Sequence, residues 1–236
     1  MATTTGPGLV KSPRGTRSSI ALKMTMAISG AVFIGFVLLH MYGNLKAFGG
    51  HDAFNEYAEH LREVGEPIFP RGGVLWIVRL VLIGSLAVHV ASAVALWRRA
   101  SNARPVKYTV VRRASSSLSS RTMRWGGLTI LLFLVWHLLN FSVVKINPTG
   151  GATNDPYNLM VDTFNVWWMT LIYLVAMAAL AMHLHHGTYS AAQTLGWTGT
   201  AAARSRARTA GWVMAVVVAG GFSLVPIFTL LGVISK

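Results

Sequence analysis

Four histidines, His40, His89, His137 and His183, fall inside stretches of the chain that are otherwise apolar. An imidazole in hydrocarbon is costly unless it is hydrogen-bonded or bound to something, so each is either a helix-to-helix hydrogen bond or a ligand. The densest run is MHLHHGTYSAAQTLG at 182–196, which sets His183, His185 and His186 at the end of an apolar segment long enough to cross a bilayer. Cysteine is absent. That excludes disulfides and cysteine-held iron–sulfur centres, and leaves histidine, carboxylate or thioether to hold any metal.

Composition says what positions these side chains. Hydrophobic residues make up 53% of the 236-residue chain and charged residues 12%. An ordinary soluble domain carries roughly a quarter charged residues, so the expected class is a small polytopic, all-α integral membrane protein. The formal net charge of +14 comes from 21 Lys and Arg against 7 acids. These bases lie in short blocks beside apolar segments, where they orient the chain and meet anionic membrane lipid. No stacking or base-reading motif accompanies them, so nucleic acid is not an expected partner. Five transmembrane helices are predicted, at about 20–48, 74–97, 123–144, 164–189 and 210–234.

Basic blocks at Lys11, Arg14, Arg17 and Lys23, at Arg98, Arg99, Arg104, Lys107, Arg112, Arg113, Arg121 and Arg124, and at Arg204, Arg206 and Arg208 alternate with loops poorer in base. The positive-inside rule then places the amino terminus in the cytoplasm and the carboxyl terminus outside. Residues 1–19 read as a basic cytoplasmic tail rather than a cleaved leader, and 20–236 as the membrane domain. In the first outer loop Phe54, Tyr57 and Leu61 recur at helical spacing among acids, predicting a short amphipathic helix at the outer surface. The second, 147–162, reads as a Gly, Pro and Asn connection leading to an interfacial anchor at Trp167 and Trp168.

Depth sorts the histidines. His40 lies seventeen residues after Lys23 and His137 thirteen after Arg124, which puts both roughly 20 to 25 Å from the cytoplasmic edge. His89 is nine residues before Arg98 and His183 sixteen after Trp167 on inward-running helices, so both fall within about 15 Å of that edge. An outer pair, His40 with His137, and an inner pair, His89 with His183, come from alternate helices. Neutral imidazoles on facing helices are axial ligands of b-type haem, and two levels favour two haems. Zinc and copper sites prefer three or four protein ligands close together. Ser85, four residues before His89, is a candidate acceptor for its second ring nitrogen. Gly43, Asn44, Asn140 and Gly187 are small or polar positions near the other three. His185 and His186 are expected to be solvated or quinone-facing at the inner end, and His51 and His60 solvated in the outer loop. Arg79, near the outer surface, either snorkels or pairs with a haem propionate.

Five spans with these four histidines, together with HMYGN at 40–44, WHLLNF at 136–141, HGTYSAAQTLG at 186–196 and SLVPIFTLLG at 223–232, resemble the single-polypeptide cytochrome b subunit of bacterial succinate dehydrogenases and fumarate reductases, respiratory complex II. The resemblance covers nearly the whole chain after residue 18. It implies a five-helix anchor in the bacterial cytoplasmic membrane for a flavoprotein and an iron–sulfur protein, carrying electrons from succinate to a quinone of the menaquinone type. It also implies that His40 and His137 hold an outer haem b, and His89 and His183 an inner one. Glu63 and Glu66 outside, and His186, Tyr189 and Gln193 inside, are the candidate quinone residues. The chain itself has no nucleotide-binding glycine fingerprint and no acid pair for dehydrogenating succinate. An anchor for formate dehydrogenase or hydrogenase would share the paired histidines, and a haem-free transporter would use them for protons or ions.

Overall fold

The structure is a computed structural model and describes residues 18–103, 118–149, 151 and 153–236. Lys11, Arg14, Arg17, Arg104, Lys107, Arg112 and Arg113 lie outside the described residues. Every regular element among those described is helical. In chain order they are α1 (Ser19–Leu45), α2 (Gly50–Glu63), α3 (Gly73–Asn102), α4 (Leu118–Leu138), α5 (Pro156–Phe164), α6 (Trp167–Thr194) and α7 (Ala201–Leu230). Five segments, containing α1, α3, α4, α6 and α7, are long and apolar enough to cross a membrane. The protein is an all-α integral membrane protein.

Local chemistry sets the ends of these helices. Ser18 caps α1 and Thr200 caps α7, each side-chain oxygen accepting a hydrogen bond from the backbone N–H three residues on. At the far end of α6, Gly196 takes φ 80° and its N–H meets the Gln193 carbonyl, while Trp197 N–H meets Ala192. That glycine-terminated turn answers carbonyls the helix leaves unpaired.

α6 packs most extensively against α7 and next against α4, and α1 packs against α3, α6 and α7. α3 rests on α1 and touches α2 only lightly. Its other faces carry exposed Trp76, Leu80, Ile83 and Trp97, apolar surface suited to lipid. The backbones of α1 and α4 do not pack against each other to any extent, nor do those of α3 and α6. Those two gaps are the ones the histidines span.

The core sits at the end of the bundle that carries α2 and the 147–162 segment, and here the structure corrects the reading of 147–162 as a plain connection. Asp155 accepts from Asn158 N–H and Pro156 occupies the first turn, starting α5. Tyr157, Met160, Val161 and Phe164 of α5 are buried against Ala47, Tyr173, Val225 and Ile234. The fourth span accordingly begins at Trp167, because Phe164 belongs to α5. α2 is the expected amphipathic helix, but its aromatic face turns onto the bundle. Phe54 lies edge-on to Tyr157 at 5.9 Å, and Tyr57 fills the space over Gly43. Gly43 therefore makes room for Tyr57, not for a ligand beside His40.

Candidate functional site

The two gaps are bridged by imidazoles. His40 on α1 and His137 on α4 have ring centroids 5.8 Å apart, and His89 on α3 and His183 on α6 have theirs 6.3 Å apart. Partners on the same helices fix the vertical separation. The His89 ring lies against Gly30 of α1, ten residues before His40, and the His183 ring against Gly127 of α4, ten before His137. Both helices thus put the levels roughly 15 Å apart at about 1.5 Å per residue.

The surroundings of the pairs differ. The outer level is caged by aromatic rings: Phe36 stacks on His40 at 5.3 Å, Phe222 lies 5.6 Å from it, and Phe133, Phe141 and Tyr173 surround His137. The inner level is flanked by glycines, where a Cβ at Gly30 or Gly127 would stand 3.7 Å from the histidine Cε1. Fixed polar contacts join each level to neighbouring helices. Ser29 Oγ is 3.0 Å from His89 Nδ1, and Tyr173 Oη is 3.5 Å from His137 Nδ1. Ser29, not Ser85, serves His89: it lies on the facing helix, whereas Ser85 is one turn along on the same one.

These residues fit a haem. A metal held between two imidazole nitrogens by bonds of about 2 Å each separates the ring centroids by roughly 6 Å, close to both distances here. The backbones are held apart at both pairs, so that the imidazoles alone bridge them, and the His183 Nδ1 is buried without a hydrogen-bond partner. Among the described residues no three His, Cys, Asp or Glu converge as a metal site. A donor set of two imidazoles would suit a haem iron better than zinc or copper.

The remaining candidates are spread out. Arg79 is exposed with its guanidinium 4.8 Å over the Trp76 ring, the snorkelling arrangement. Glu63, Glu66 and Gln193 are exposed, and His186 is half-buried. Tyr189 lies under the Arg208 guanidinium at 5.5 Å. The structure does not gather these six into one site with either histidine pair. Asn140 is fully buried within reach of Tyr173, Asn44 turns back to the His40 carbonyl, and Gly187 faces open space.

His185, expected to be solvated or quinone-facing, and His51, expected in solvent, are both paired. His185 Nδ1 is 2.9 Å from Ser119 Oγ, its ring lies 4.2 Å from Trp212, and its carbonyl lies beside Gly211, so it ties α6 to α4 and α7. His51 sits between two carboxylates, Asp52 at 2.9 Å and Asp155 at 2.6 Å, which hold its pKa above the usual imidazole value. Partial burial raises the Asp155 pKa, but hydrogen bonds from Asn158, Asn55 and His51 outweigh this and leave it below the usual carboxylate value. This pair clasps α2 to the start of α5.

A groove of about 420 Å³ opens between α4 and α6, lined by Thr129, Leu132, Phe133, Trp136 and Leu171 among others. Phe133 also lies 5.8 Å from His137, so one ring separates groove from outer pair. At the opposite end of the bundle the bases gather. Arg99 of α3 donates to Ser19 Oγ of α1, Arg124 of α4 covers Trp97 of α3, and Arg208 of α7 covers Tyr189 of α6. Compared with protein-family models, curated proteins and solved structures, the chain matches none.

Proposed function

We propose that this chain is the membrane-anchor cytochrome b subunit of a succinate:quinone oxidoreductase, joining a flavoprotein and an iron–sulfur partner to a membrane quinone. The observation that carries the proposal is the pair of imidazole bridges, His40–His137 and His89–His183, roughly 15 Å apart. Each bridge crosses a gap between helices whose backbones do not pack. His40 and His137 would hold an outer b-type haem and His89 and His183 an inner one. When bound, such a group supplies a one-electron redox centre within the bilayer. The choice of succinate over another donor rests on the resemblance of the histidine motifs, and the structure is compatible with it.

The chain's own residues orient and insulate. Phe36, Phe222, Phe133 and Phe141 exclude water from the outer level, and Gly30 and Gly127 leave clearance at the inner one. The basic end, with Arg98, Arg99, Arg121, Arg124, Arg204, Arg206 and Arg208, faces the cytoplasm in this reading and gives the soluble subunits a surface of opposite charge. The groove beside Phe133 gives an apolar quinone an approach to within one ring of His137.

Purification from membranes in mild detergent tests this. The expected result is a b-type reduced-minus-oxidised spectrum, co-purifying flavoprotein and iron–sulfur subunits, and loss of about half the b-type absorbance in His89→Ala. A wild-type preparation without b-type absorbance overturns the cofactor assignment. Haem with a molybdenum or nickel enzyme as partner overturns the succinate assignment alone.

A further inference from the structure

At each level the hydrogen bonds determine where the proton of one imidazole sits. At the inner level Ser29 is 2.7 Å from the Thr25 carbonyl, which can only accept, so the serine proton points there. Its other hydroxyl contact, 3.3 Å to the Met26 carbonyl, is also to an acceptor, so the Ser29 oxygen is left to accept from His89 Nδ1 at 3.0 Å. A nitrogen facing an acceptor carries a proton.

The outer level reaches the same result through a longer chain. The short π-helical turn Leu139–Val143 at the end of α4 carries Asn140, which is fully buried. Its Nδ2 lies 2.8 Å from the Ile146 carbonyl and 3.3 Å from Thr163 Oγ1. A carbonyl cannot donate, so the amide orientation is settled and Oδ1 faces Tyr173 at 2.7 Å. Tyr173 has one proton and gives it to Asn140. Its oxygen can then only accept from His137 Nδ1, at the long end of hydrogen bonding. Among the described residues the other member of each pair has no such anchor: His183 Nδ1 is buried without a partner, and His40 stacks on Phe36.

We infer that Ser29 and Tyr173 are positioning residues, each holding one histidine of its pair, His89 and His137, as the Nδ1–H tautomer with the Nε2 lone pair free for a ligand. Each bridge then has one oriented and one adaptable imidazole. The tautomers follow from hydrogen bonds alone; their consequence for a haem rests on the function proposed above. An acceptor on Nδ1–H makes an imidazole more basic and stabilises an oxidised metal centre, so losing it raises the reduction potential.

Two measurements test this in the full-length wild-type chain, Ser29→Ala and Tyr173→Phe, purified in lipid. Ring nitrogen-15 NMR on the dithionite-reduced protein is expected to show protonated Nδ1 at His89 and His137 in the wild type. The His89 signal should move only in Ser29→Ala, and the His137 signal only in Tyr173→Phe. A protonated Nε2 at either histidine overturns the inference whether or not haem is present. Redox titration of the b-type absorbance is expected to show one of two potentials rising in each variant, a different one in each. The rise is up to tenfold in oxidised-to-reduced ratio, about 59 mV for one electron. Unmoved potentials with unmoved nitrogen signals also overturn it. If b-type absorbance is absent, the functional reading fails and the nitrogen signals still decide the tautomers.

Discussion

Replacing Asn140 by Leu keeps the branched heavy-atom shape and removes an amide that joins α4, α5 and α6. The Tyr173 hydroxyl, 2.7 Å from Oδ1 in a buried setting, loses its acceptor, and the Ile146 carbonyl, 2.8 Å from Nδ2, loses a donor. A buried group stranded in this way costs about 1–3 kcal/mol. The tyrosine hydroxyl bears that in full; Ile146 is half-buried and regains part of it from water. The expected destabilisation of Asn140→Leu is therefore about 2–4 kcal/mol. Tyr173→Phe strands Asn140 Oδ1 for about 1–3 kcal/mol. The double variant removes both partners of that bond, so the two changes should fall short of additivity by about 1–3 kcal/mol, a coupling typical of contacting residues. Unfolding by denaturing detergent, followed by circular dichroism on all four proteins, measures the cycle. Additivity within about 0.5 kcal/mol, the behaviour of independent sites, would refute the Tyr173–Asn140 bond and with it the proton assignment at His137.

Other outcomes follow from particular contacts. Gly211→Ala would set a Cβ 2.7 Å from the His185 carbonyl, backbone that cannot yield cheaply, and should destabilise by about 1–3 kcal/mol. Gly187→Ala, with nothing within 4 Å, should stabilise α6 by up to about 1 kcal/mol; thermal denaturation of both variants checks the contrast. Gly127→Leu places bulk where His183 Cε1 lies 3.7 Å from a Cβ position. Optical titration should then show loss of the inner b-type component with the outer one retained. The His51–Asp155 clasp should depend on pH. The raised pKa of His51 means its contribution is complete below the unfolded value of 6.5 and is lost as pH rises through the higher folded value. The lowered pKa of Asp155 means its contribution is present above the unfolded value of 3.8 and is lost as pH falls through the lower folded value. Hydrogen-exchange protection factors at the N-terminal turn of α5, corrected for the intrinsic rate, should therefore be highest between those two unfolded values and fall in alkali, and Asp155→Asn should weaken that alkaline fall.

Sequence alone determined the class, the five spans and the two depths. A bilayer imposes one length on every crossing, so about 20 apolar residues mark a span without knowledge of its neighbours. Counting from basic and tryptophan anchors then ranks intramembrane histidines by depth, and the structure sets His40 beside His137 and His89 beside His183. The start of α5 was missed: Asp155 before Pro156 is a helix-opening signal, but the glycines and asparagines upstream read as a plain connection. Only the tertiary structure decided which hydroxyl each histidine meets. A serine on the facing helix, as Ser29 is to His89, has no fixed sequence offset from its partner, whereas Ser85 at i−4 invited the wrong assignment. The same holds for Tyr173 and Asn140, and for His185, which looked solvated beside polar neighbours and instead ties three helices together. Hydropathy repeats along the chain and can be read in one dimension; hydrogen bonds between helices depend on rotation and proximity, which packing alone supplies.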